Sequence, residues 1–98
     1  MATYLILFSF TGPGILKIKE SPARVEAAKR TVEAMGGATK AFYAMLGSQY
    51  DTLFVVEAPD DEAVARMSLA IASGGNVRTE THRLFTEAEY GKLVSSLP

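Results

Sequence analysis

The residues best suited to chemistry lie in one short stretch, Arg78-Thr79-Glu80-Thr81-His82-Arg83, which holds the chain's only histidine. Polar and β-branched residues alternate there between Gly74-Gly75 and Leu84-Phe85. This is a strand pattern, and it puts Arg78, Glu80 and His82 on one face. An imidazole that titrates near neutrality, held by a carboxylate beside a guanidinium, can accept a proton or bind an anion. The same trio also fits a solvated or dimer-edge ion pair, since charges on strands commonly pair across neighbours. Lys40 and Tyr43 in a second strand, Tyr4 in the first and Tyr50 beside Asp51 are further candidates to line such a pocket. Their ordinary roles are core or interface aromatics with a satisfied hydroxyl and, for Asp51, a turn carboxylate that caps backbone amides.

No motif names a reaction. Gly12-Pro13-Gly14, beside Lys17 and Lys19, lacks the spacing that wraps a phosphate and reads as a plain turn, while Gly36-Gly37 reads as a helix stop. Asp60-Asp61-Glu62 is the acidic first turn that a helix dipole selects. With no cysteine, disulfides and thiol nucleophiles are excluded, and a lone histidine supplies no metal-ligand pattern, so no metal or cofactor is expected. Ten basic residues against eleven acidic ones create no field for nucleic acid or an acidic membrane surface, so neither is expected as a partner. The apolar run at the amino terminus has no basic leader and is too short for a bilayer, and a cytoplasmic protein is expected.

Thr3 to Phe10 is apolar on both parities, as in a central strand covered on both faces. A connector over Ile15 to Glu20 follows the Gly-Pro-Gly turn. Ser21-Pro22 then reads as an N-cap and first-turn proline, with Val25, Ala28, Val32 and Met35 as the helix's inner stripe. Ala38 to Leu46 and Asp51 to Ala58 read as an antiparallel pair around Gly47-Ser48-Gln49-Tyr50. A second helix begins at the acidic turn and turns Val64, Met67, Ala70 and Ile71 inward; the fourth strand spans about Asn76 to Phe85. Thr86-Glu87-Ala88-Glu89 has the form of a capping box before a short helix carrying Tyr90, Leu93 and Val94. The order β-α-β-β-α-β is that of an α+β, ferredoxin-like domain with a four-stranded antiparallel sheet, read here as one domain over residues 1–98. Two helices cover one face only, so a homodimer is expected, with a second copy covering the other.

Gly47-Ser48-Gln49-Tyr50-Asp51, Glu57-Ala58-Pro59-Asp60-Asp61, Gly75-Asn76-Val77-Arg78-Thr79-Glu80-Thr81 and Phe85-Thr86-Glu87 resemble the GYD-domain family, as do Ile18-Lys19-Glu20-Ser21-Pro22 and Arg24-Val25-Glu26-Ala27. The pattern departs in one place, where Ser48 and Gln49 together separate the glycine from Tyr-Asp instead of about one residue. The resemblance implies a ferredoxin-like domain related to the dimeric α+β barrels, in which two sheets enclose a central space. It implies no activity. The reading that follows is a homodimeric small-molecule-binding or regulatory protein whose ligand is set by Arg78, Glu80, His82, Tyr43, Lys40 and Tyr50. The rival is a cofactor-independent oxygenase or isomerase with His82 as base. A third reading, an interaction module without a pocket, requires the charged trio to face solvent.

Overall fold

A computed structural model describes all 98 residues. Strand β1 (Ala2–Phe10) leads through a short helix α1 (Gly12–Leu16) and a 3-10 turn (Ile18–Glu20) into α2 (Ser21–Ala34). Strands β2 (Ala38–Ala44) and β3 (Thr52–Ala58) follow, then α3 (Asp61–Ala72), β4 (Val77–Leu84) and α4 (Glu87–Ser95). The antiparallel sheet has the order β2-β3-β1-β4, so the two strands richest in apolar residues are central, as expected for the ferredoxin-like arrangement.

Period-two alternation divides the sheet into two faces. Tyr4, Ile6 and Phe8 of β1 and Phe54, Val56 and Ala58 of β3 are buried against α2 and α3, where Val32, Ala63, Val64 and Met67 complete the core. Phe54, Ile6, Met67, Val32 and Val56 are the largest side chains with essentially no exposure, and each contributes about 2 kcal/mol relative to a solvated position. Phe54 also packs edge-to-face with Phe8 and Phe42, at centroid separations of 5.1 and 5.9 Å. In α3 the inner stripe differs slightly from expectation. Ala63 and Ser68 are buried while Ala70 is exposed, and the Ser68 hydroxyl is satisfied 2.8 Å from Thr81 Oγ1 on β4.

Local signals explain most of the boundaries. Asp60 caps α3 by accepting from the Ala63 amide at 2.9 Å. At the end of α2, Gly36 adopts φ +84°, and the Gly37 amide returns to the Val32 carbonyl at 3.0 Å. The Thr86–Glu89 capping box forms at the start of α4, which nevertheless buries no side chain; Tyr90, Leu93, Val94 and Leu97 stay exposed. The Cα radius of gyration is 14.6 Å, against about 13 Å for a compact chain of this length.

Two expectations at the β1–α2 connection are corrected. The Gly12-Pro13-Gly14 turn is the opening of α1, because the Thr11 side chain accepts from the Gly14 amide at 3.1 Å and Pro13 is pre-set for a first helical turn. Ser21 is not the N-cap of α2. Its φ and ψ of −55° and −44° are already helical, and the preceding 3-10 turn feeds the helix directly. Gly14 is buried against the chain just before β4, where an added Cβ would collide with the backbone carbonyl of Asn76. Gly14→Ala should therefore lower stability by about 1–3 kcal/mol in urea unfolding, whereas Gly12→Ala, which meets open space, should change it by less than about 1 kcal/mol.

Candidate functional site

The face turned away from the helices carries Leu5 and Leu7 of β1 and Leu53 and Val55 of β3. Cross-strand register sets β4 beside them, with Leu5 opposite His82, Leu7 opposite Glu80 and Ser9 opposite Arg78. The expected trio thus shares one face, and that face is the open one. Thr79, Thr81 and Arg83 take the other parity, and Arg83 reaches Glu89 at 3.3 Å and lies 4.5 Å from the Phe85 ring centroid.

A third polar group joins Glu80 and His82. The Tyr50 hydroxyl donates to Glu80 Oε1 at 2.5 Å, and His82 Nε2 lies 2.6 Å from Glu80 Oε2. Both oxygens of one carboxylate are thereby engaged, one by a phenol and one by an imidazole. An ionised carboxylate only accepts, so Nε2 carries the proton and Nδ1 of the neutral ring is left with a free lone pair. The bond from Tyr50, reinforced by the one from His82, holds the Glu80 carboxyl below its ordinary range, and the same contact raises the Tyr50 phenol. Glu80 and His82 remain about half exposed in the protomer.

Tyr50 is placed there by its neighbour. Asp51 Oδ2 accepts from the Phe10 amide at 2.8 Å, while the Asp51 amide donates to the Phe8 carbonyl at 2.8 Å, so the loop is clamped across the end of β1. Gly47, at φ +82°, and the Met45 amide bonded to the Asp51 carbonyl at 2.9 Å let two residues precede Tyr-Asp without breaking the clamp.

The remaining candidates lie apart from this cluster. Tyr43 shares the open face and the transverse row Tyr43–Leu53–Leu7–Glu80, but three strand spacings, about 14 Å, separate it from Glu80. Lys40 sits at a register break in β2 and pairs with Glu57 at 3.4 Å. Tyr4 belongs to the core and donates to Asp61 Oδ1 at 2.5 Å, and that bond together with burial pushes its phenol up to about 12. Arg78 makes no ion pair within 4.0 Å. No three His, Asp or Glu side chains converge to hold a metal ion, and no helix is long and apolar enough to cross a membrane.

The fold and its polar face define an α+β protein of ferredoxin-like architecture with one sheet face uncovered. A GYD-domain model matches residues 4–94, and the chain belongs to that family. It is 38% identical over 82 residues to a Thermus thermophilus protein named glutamine synthetase and cystathionine beta-lyase binding protein, covering 83% of this chain and 85% of that one. Among solved structures, a feast or famine regulatory protein of Mycobacterium tuberculosis, in complex with L-methionine, is similar at TM-score 0.66 and 16% identity over 88% of this chain, which spans about half (51%) of that protein. A 5-chloro-2-hydroxyhydroquinone dehydrochlorinase of Burkholderia phenoliruptrix is similar at TM-score 0.53 and 17% identity, with 88% of this chain and 96% of that one covered. At those identities the two structures establish the fold.

Because the Tyr50 bond is the main cause of the low Glu80 carboxyl, Tyr50→Phe should raise the Glu80 titration midpoint toward 4.5 in a carboxyl-carbon NMR titration. The sign for stability follows from both partners. The contribution is present above the ordinary carboxyl value of 4.5 and is lost as pH falls through the lowered Glu80 value; it is present below the ordinary phenol value of 10.0 and is lost as pH rises through the raised Tyr50 value. An unchanged Glu80 midpoint in the variant would show that the bond does not form in solution.

Proposed function

We propose that the protein is a homodimeric small-molecule-binding or regulatory protein, in which two open sheet faces enclose a space whose rim carries Tyr50, Glu80 and His82. The observation that supports this most directly is the aliphatic strip of Leu5, Leu7, Leu53 and Val55, left without helices and bordered by a polar cluster in which Tyr50 and His82 engage both oxygens of Glu80. Such a strip gains from association, and an isologous two-fold pairing of one face with itself is the simplest arrangement. The exposed apolar side of α4 adds a second surface for a partner copy to cover. In the dimer, Arg78 would meet an anionic group of the ligand and His82 Nδ1 would accept from a ligand donor, while Tyr43 and Lys40 would border the far side of the space. The name of the Thermus relative, a protein that binds two enzymes, favours binding over turnover.

A second reading, a cofactor-independent enzyme of the oxygenase or isomerase type, is favoured by one feature. Glu80 orients His82 through Nε2 and leaves Nδ1 able to take a proton from a substrate. For that reading, turnover of a bound compound should vanish in His82→Ala while its binding persists.

Sedimentation equilibrium tests the assembly that both readings need. Wild type should run at twice the 10.5 kDa protomer mass, and Leu7→Glu, which puts a carboxylate into the strip beside Glu80, should run at the protomer mass with unchanged far-UV circular dichroism. A wild-type protein at protomer mass over the whole concentration range would remove the enclosed space and both readings with it.

A further inference from the structure

On the other side of the sheet, between the two layers, lies a half-enclosed cavity of about 230 Å³. It arises because α2 presents alanine where the sheet presents aromatic rings. Ala28 lines the same space as Phe8, Phe42 and Phe54, with Val25 and Ile71 on its flanks. The edge-to-face contacts of Phe54 with Phe8 and Phe42 hold the rings in place and keep them from swinging in to fill the gap. Since an apolar cavity of about 150 Å³ accepts benzene, one of this size takes a substituted ring or a chain of about six to eight carbons.

One charged side chain lines this space. Arg24, half-buried in α2, donates through Nη1 to the Lys17 carbonyl at 3.0 Å and through Nη2 to the Gly14 carbonyl at 3.1 Å. Both acceptors are neutral, and no carboxylate lies within 4.0 Å of the guanidinium. The two backbone bonds fix the fork, and three of its five donors remain for another group. A half-buried, oriented and uncompensated guanidinium beside an apolar hollow is complementary to a small acid with a hydrophobic tail.

We propose that this cavity is a binding site for a small apolar carboxylate, an aryl or medium-chain acid, with its tail on the phenylalanine rings and its carboxylate on the free donors of Arg24. The site shares no residue with the open face and does not depend on the dimer.

Calorimetric titration of the wild-type protein with phenylacetate and hexanoate, each beside its neutral amide, tests the assignment. The acids should bind about tenfold more tightly than the amides. Methyl NMR shifts should fall on Val25, Ala28, Ile71 and Val77 and leave Leu5, Leu7 and Val55 unmoved. Arg24→Gln should abolish the difference between acid and amide, and Ala28→Leu, which fills the hollow, should abolish binding of both. Equal affinities for acid and amide in the wild type would overturn the proposal. So would shifts confined to the open face, or no saturable binding of either acid; none of these outcomes requires a variant to fold.

Discussion

Leu5, Leu7, Leu53 and Val55 point away from the helices because Tyr4, Ile6, Phe8, Phe54 and Val56 point toward them, and a pleated strand allows no third direction. The central strands β1 and β3 are therefore apolar on both faces, while α2 and α3 shield only one. Most other features of the molecule can be traced to that imbalance. It leaves an aliphatic strip on the open face, with the polar groups of that face beside it on the outer strand β4.

The polar cluster depends on a clamp at some distance from it. Asp51 joins the β2–β3 loop to the end of β1 through two backbone bonds, and this sets the neighbouring Tyr50 over Glu80, thirty residues further along the chain. Glu80 in turn occupies both of its oxygens and fixes which ring nitrogen of His82 is free. Gly47, Tyr50 and Asp51 thus act as one unit: Gly47 lets the chain turn, Asp51 anchors the loop, and Tyr50 joins the charged strand.

The helix-facing side obeys a different economy. Alanines along α2 let the helix sit close to the sheet but leave space over the phenylalanine rings, and Arg24 borders that space with its charge unanswered. The two sides of one sheet consequently differ in kind. The open side has charge beside a broad aliphatic floor, and the covered side has a narrow aromatic hollow with a single cation.

The order of the four strands and of the helices α2, α3 and α4, the capping box at Thr86, the acidic start of α3 and the glycine stop of α2 are legible in the sequence, because each depends on residues close to one another in the chain. That Arg78, Glu80 and His82 share a face is legible for the same reason, since alternation is local. Other features were decided only in three dimensions. Gly12-Pro13-Gly14 reads as a plain turn in the sequence, and only the Thr11 bond to the Gly14 amide and the packing of Asn76 over Gly14 make it a helix start. Which parity of β4 meets the helices depends on its register with β1, and that register joins residues some seventy-five positions apart. The contact of Tyr50 with Glu80, the separation of Tyr43 and Lys40 from that cluster, and the hollow beside Arg24 likewise follow from strand order and layer packing. A one-dimensional pattern specifies which side chains share a face, but only the assembled sheet determines which faces and loops meet.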